Sequence, residues 1–240
     1  HSGVIFAPST SSINDGFNNT DGTIDWNEVF SILPNLNIFG AESNNLSGTL
    51  PTSLHTTTIN SFTITDNNIT GTIPSTFSTT GSLTLVLSNN RLSGSLPPKL
   101  FTNSGTGTLY IDLSNNDISG EVPATLFNNI SSTGNTTIIL ANNSLSGAIP
   151  EQLFSSAHAS IFLLDLQDNQ LSGSLPAALL HNFTASTTSL TLKLSGNQFE
   201  GSIPEEFLPS TVPTLYILAG NSQLHGELPN LLFYNYSSSR

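Results

Sequence analysis

Leu87-Ser-Asn-Asn-Arg-Leu-Ser-Gly-Ser-Leu-Pro97 is the stretch on which the reading of this 240-residue chain turns. Its frame is an apolar residue, an asparagine three positions on, a second apolar residue two further, then Ser-Gly and a proline. The frame recurs, with substitutions, around Asn44, Asn67, Asn90, Asn116, Asn143, Asn169 and Asn197, and one residue out of phase at Asn221. Successive asparagines lie 23, 23, 26, 27, 26, 28 and 24 residues apart. A unit of this size cannot bury an apolar face alone and leans on the copies before and after it. The period therefore predicts a solenoid.

Three parts follow from the frame. Ahead of each asparagine the apolar residues alternate, as in Leu83, Leu85 and Leu87, in Leu109, Ile111 and Leu113, and in Leu190, Leu192 and Leu194. That is the period-2 pattern of a strand with one face buried. At the asparagine the chain leaves the strand, and backbone groups lose their ladder partners. An inward Asn side chain carries one acceptor and two donors, so it can serve its own turn and the adjacent one. Asn44, Asn67, Asn90, Asn116, Asn143, Asn169, Asn197 and Asn221 are therefore expected to form a structural ladder. The return is marked by a glycine and a proline, at 92–97, 118–123 or 145–150 for example. Three residues after each proline stands an apolar residue: Leu54, Phe77, Leu100, Leu126, Leu153, Leu179, Phe207 and Leu232. These are read as a stacked spine on the convex side.

The ends look different. Residues 1–35 make an N-terminal lead-in and a capping helix. Asp25 and Glu28 resemble a capping box, Trp26, Val29, Phe30 and Leu33 form one helical stripe, and Pro34 stops it. This helix, with the single Trp, is expected to cover the first open core face. Residues 36–232 hold the eight repeats, and 233–240 form a tail.

Sixteen Asp and Glu stand against four Lys and Arg, a formal net charge of −12. Nucleic acid and anionic membrane surfaces both require clustered cations, so neither is an expected partner. There is no cysteine, hence no disulfide, thiolate metal site or thiol nucleophile. There is also no methionine, so the chain is read as following a removed signal peptide or as an excised fragment. No apolar run is long enough to span a membrane. Asn-x-Ser/Thr sequons start at Asn18, Asn45, Asn68, Asn129, Asn135, Asn142, Asn182 and Asn235. With none interrupted by proline, they point to a secreted glycoprotein.

The repeats resemble leucine-rich repeats of the plant-specific type, marked by Leu-x-x-Asn-x-Leu-Ser/Thr-Gly-x-Ile/Leu-Pro. The family is found in plant receptor ectodomains, polygalacturonase inhibitors and protist surface proteins. The resemblance implies an α/β solenoid, a right-handed leucine-rich-repeat superhelix. Its parallel β-sheet is concave and binds ligands, its convex side is mostly irregular or short-helical, and a second short sheet lies near the Leu-Ser-Gly segment. Two departures stand out: the caps lack the family's usual cysteines, and several repeats exceed its usual length. They lean towards a protist or microbial surface protein.

Strand residues between the inward ones face out. Counted from each asparagine, one outward row reads Thr84, Tyr110, Thr137, Leu163, Thr191 and Leu215, and the next Val86, Asp112, Ile139, Asp165, Lys193 and Ile217. A third reads Ser88, Ser114, Ala141, Gln167, Ser195 and Ala219. Tyr110, Asp112, Ile139, Leu163, Asp165 and Lys193 are the candidate ligand-binding residues, because exposed apolar side chains among a few polar ones mark interaction surfaces. Asp112 and Asp165 stand two strands apart, about 10 Å, too far to share one metal ion easily. Asp165 and Lys193 are expected to form a surface ion pair of little weight. His55, His158, His181 and His225 show no metal-ligand spacing. No catalytic residue, cofactor site or metal site is assigned.

The expected function is an extracellular or cell-surface recognition module that binds a protein, peptide or glycan on the concave sheet. A glycosylated building block of a cell coat, with self-association, is the alternative. Asn129, Asn135 and Asn182 are placed in segments that cross the convex side, so that glycans would leave the sheet bare.

Overall fold

The structure is a computed structural model. It describes residues 3–6, 36–51, 59–75, 77–79, 81–98, 100–103, 107–127, 129–130, 134–154, 161–180, 183, 189–207, 215–218 and 220–227. The capping helix with Trp26, the spine residues Leu54 and Leu232, and the sequons at Asn18, Asn182 and Asn235 lie outside these residues. So do His55, His158 and His181.

The strands ahead of the asparagines pair in parallel into one nine-stranded sheet, which runs in chain order. Its members are Gly3–Phe6, Leu36–Gly40, Ser61–Thr63, Leu83–Val86, Leu109–Asp112, Asn135–Ile139, Ile161–Asp165, Ser189–Lys193 and Leu215–Leu218. Register is kept from strand to strand: Leu83 pairs with Leu109, Leu109 with Thr136, Phe162 with Leu190. Inward position thus stacks on inward position, with Thr136 the polar member of its column. Leu85, Ile111, Ile138, Leu164 and Leu192 are all buried in one column. Each such side chain contributes about 1.5–3 kcal/mol by leaving water. The first strand, Gly3–Phe6, comes from the N-terminal lead-in and extends the sheet beyond the first repeat, pairing with Leu36–Gly40.

After each turn a second set of short strands forms at the Leu-Ser-Gly segment. Six of them, from Ser93–Ser95 to Gln223–Leu224, make one parallel sheet, and Ser47–Thr49 pairs with Asn68–Thr70 beside it. A glycine in or shortly after each strand takes positive φ. Gly94 has φ 79°, and a Cβ there would come within 2.9 Å of Thr72 Cγ2, so both torsion and space select glycine. The proline then opens a tight turn. The amide of Leu100 donates to the carbonyl of Pro97, and Leu126, Leu153 and Leu179 repeat the bond to Pro123, Pro150 and Pro176. Leu100, Leu126, Leu153 and Leu179 are fully buried, as a spine requires.

The third side differs from the expected one. Phe77–Thr79, Phe101–Asn103 and Asn129–Ile130 pair into a three-stranded parallel sheet, and the helical content among the described residues is one 3-10 turn, Glu205–Phe207. The α/β class expected from the resemblance is therefore corrected: the described chain is a β-solenoid. In these segments extended backbone finds its partners in the neighbouring copy rather than within a helix. Later segments of the third side bring aromatic rings inward. Phe127 and Phe154 stack with centroids 5.6 Å apart, and Phe162 from the large sheet meets Phe154 edge-on at 5.2 Å. Phe183 closes the group at 5.3 Å from both Phe154 and Phe162.

Candidate ligand-binding face

The large sheet turns one face to the core and the other outward, and the turn asparagines set where each strand ends. Asn116 shows the arrangement. Its Nδ2 donates to the carbonyls of Leu87 in the preceding repeat and of Leu113 and Ser114 in its own, at 3.0–3.1 Å. Its Oδ1 accepts the amide of Leu92 at 2.9 Å. Asn67, Asn90, Asn143, Asn169 and Asn197 repeat this set of bonds. Asn44, at the first repeat, donates to Glu42.

The residue before each asparagine has positive φ. It is Ser43, Asp66, Asn89, Asn115, Asn142, Asp168 and Gly196 in turn, with φ between 52° and 68°. The sequence reading missed this column, although its composition carried the signal. Ser, Asp, Asn and Gly are the residues that tolerate left-handed backbone, by short polar side chains or by lacking one.

The candidate residues fall into two adjacent rows. Asp112 pairs with Ile139, Ile139 with Asp165, and Asp165 with Lys193, so four of them sit side by side on four consecutive strands. In the next row Tyr110 pairs with Thr137 and Thr137 with Leu163. Tyr110 is 37% exposed, and Ile139 and Leu163 are half-buried. All six therefore lie on one face.

Their polar groups are held in place. Asp112 Oδ1 accepts the Ser114 hydroxyl at 2.6 Å and the Ser114 amide at 3.0 Å. Asp165 accepts the Gln167 amide at 3.1 Å and Gln167 Nε2 at 3.3 Å, and Lys193 Nζ lies 3.0 Å from its Oδ2. Asp165 is only 5% exposed. The pair is thus more than the light surface bridge expected: removing Lys193 would leave a nearly buried carboxylate with the Gln167 donors alone.

Three placements need correction. Leu215 pairs with Leu190 and Ile217 with Leu192, which are core positions, whereas Tyr216 and Leu218 take the register of Thr191 and Lys193. Counting from Asn221 put Leu215 and Ile217 in the outward rows. The amide of Gly196 bonds to the carbonyl of Gly220, so the frame is counted from Ser222, and a one-residue slip exchanges the two faces of a strand. Asn135, read as part of a convex crossing, is the first residue of the Asn135–Ile139 strand and is exposed on the outward face beside Ile161. There pairing with the neighbouring repeat extends a strand into what reads locally as a polar loop. Asn129 lies in a strand of the third-side sheet, off the large sheet. Ile161, 40% exposed and in line with Asn135, was absent from the candidate set because it precedes the alternating run.

Comparison with known proteins agrees with this geometry. The family model for Leucine Rich Repeat matches residues 83–103, 108–129 and 190–209. The leucine-rich repeat ectodomain of the Arabidopsis receptor kinase HAESA, solved in complex with an N-terminally extended IDA peptide hormone ligand, is 30% identical over 83% of this chain, with a TM-score of 0.52. The chain spans 36% of that ectodomain's length. A plant ice-binding protein shares the fold at 21% identity, with a TM-score of 0.59, covering 95% of this chain and 74% of its own. No curated protein matches by sequence. The frame around the asparagines, the parallel solenoid it builds and these matches together identify the repeats of this chain as leucine-rich repeats, consistent with the plant-specific type.

Proposed function

We propose that the protein is an extracellular or cell-surface recognition module that binds a protein, peptide or glycan on the outward face of its large sheet, the concave face of a right-handed superhelix. The observation that carries this reading is the row Asp112, Ile139, Asp165 and Lys193 on four adjacent strands, with Tyr110 and Leu163 beside it. Apolar side chains supply contact area there, while Asp112 and Asp165 are already oriented by hydrogen bonds, which lowers the ordering cost of binding. The HAESA ectodomain, with its bound peptide hormone, supports a ligand-binding role by likeness. The sequons support an extracellular setting. We assign the turn asparagines a structural role, supported by the bonds they make to two successive turns.

A partner screen on secreted protein tests the reading. Ile139→Asp places a third acid in the row, between Asp112 and Asp165, and is expected to weaken binding at least tenfold, while Asn45→Gln, at an exposed turn, leaves it unchanged. Binding that survives Ile139→Asp and Lys193→Glu, or self-association through the ends of the solenoid as the only interaction, would put the functional surface elsewhere.

A further inference from the structure

Two large apolar side chains are prominently exposed among the described residues, Tyr110 and Ile161. Both flank the same sequon. In Asn135-Thr136-Thr137 the middle residue is buried in the core, so Asn135 and Thr137 point outward. Ile161 pairs with Asn135 on one side, and Tyr110 pairs with Thr137 on the other. With strands about 4.8 Å apart and about 3.3 Å per residue along them, Tyr110 stands about 8 Å from Asn135, one strand over and two residues along. An aromatic ring and a branched aliphatic chain therefore bracket the Asn135 amide on an otherwise polar rim, where Thr108 and Ser189 are the remaining neighbours at that level.

We propose that Asn135 carries an N-linked glycan whose first sugar rings lie on a shelf made by Tyr110 and Ile161, so that the sugar stands on the large sheet itself and confines a partner to the row from Asp112 to Lys193. The chemistry requires a lipid pyrophosphate-linked oligosaccharide as donor. The Asn135 amide nitrogen forms a bond to the anomeric carbon, the bond from that carbon to the pyrophosphate oxygen breaks with its electron pair leaving on the pyrophosphate, and the nitrogen gives up one proton. Once the chain has folded, the face of the Tyr110 ring, negative in its quadrupole, attracts the C–H face of a pyranose, and Ile161 offers it apolar area. The shelf explains why two apolar side chains remain exposed at this rim, as a lone patch would otherwise be a liability for association.

The inference rests on the recognition reading only for its consequence, the confinement of the partner. The placement of the sugar is tested separately. Glycopeptide mapping of the chain secreted from a eukaryotic host should find hexosamine on Asn135. Thr137→Val removes the acceptor motif at nearly constant shape, while Thr137→Ser keeps it. Thr137→Val is expected to lose the sugar and to raise binding of an apolar fluorescent dye several-fold, and Thr137→Ser to do neither. Adding Tyr110→Ala and Ile161→Ser to Thr137→Val should abolish the increase. A bare Asn135 in the secreted protein overturns the proposal, and so does a Thr137→Val protein that takes up no more dye than the parent. If sugar and dye behave as expected but Ile139→Asp leaves partner binding intact, the glycan shelf stands and the recognition face does not.

Discussion

The middle of the solenoid and its C-terminal end use the same residue type at the turn and obtain different results. Asn116 is 8% exposed and its side chain makes four hydrogen bonds, three as donor and one as acceptor. Asn221 is half-buried and its side chain makes two, donating to the Leu194 carbonyl and accepting the amide of Asn197. The reason is phase. In the middle, each Oδ1 receives the amide two residues beyond the preceding asparagine, as Leu171 does for Asn197. At the end Ser222 holds that frame position, and Asn221 reaches the next best donor. The residue type alone does not set these bonds; the residue count from the strand does.

Four substitutions would break or sharpen this contrast. Phe162→Ala removes the ring on which Phe127, Phe154 and Phe183 converge, and should cost about 3–5 kcal/mol in urea unfolding. A loss under 1 kcal/mol would mean that the rings pack less closely than their centroid distances imply. Asn116→Leu leaves the Leu92 amide without its acceptor and Leu87 and Leu113 each with one donor fewer, at about 1–3 kcal/mol for each buried group left unsatisfied. We expect about 3 kcal/mol in all, and an unchanged thermal midpoint would remove the ladder role. Asn221→Ala at the frayed rung should cost less than about 1 kcal/mol, the ordinary net value of a partly solvated hydrogen bond. If it matched Asn116→Leu, phase would not be what separates the two turns. Thr136→Val works in the opposite direction. The Thr136 hydroxyl is buried without a partner, at a position paired with Leu109 and Phe162. A valine of the same shape should stabilise the middle by about 1 kcal/mol, read from the denaturation midpoint, because it replaces an unsatisfied polar atom by an apolar one.

Much of the candidate face was legible before folding, because alternation within a strand depends on the strand's own residues. Asp112, Ile139, Asp165 and Lys193 could be aligned by counting back from four asparagines whose frames agree, and their strands do pair in that register. The count failed at Leu215 because Asn221 is not the frame residue there, and nothing local distinguishes it from Ser222. The left-handed column from Ser43 to Gly196 was written in its residue types and overlooked beside the more regular asparagines.

The sequence by itself determined the repeat, the inward columns and the chemistry of each turn, since these follow from which residues alternate and which can bend the backbone. Only the tertiary structure decided where strands begin and what lies beside them. Asn135 reads as loop in its own segment and becomes strand because Ile161 pairs with it. Phe77 reads as a spine residue and starts a strand of a third sheet because Phe101 of the next repeat pairs with it. Asp165 reads as a surface charge and is nearly buried because Gln167 and Lys193 close over it. In each case the deciding partner comes from another strand position or another repeat, and backbone and charge alike must find their partners there once water is excluded.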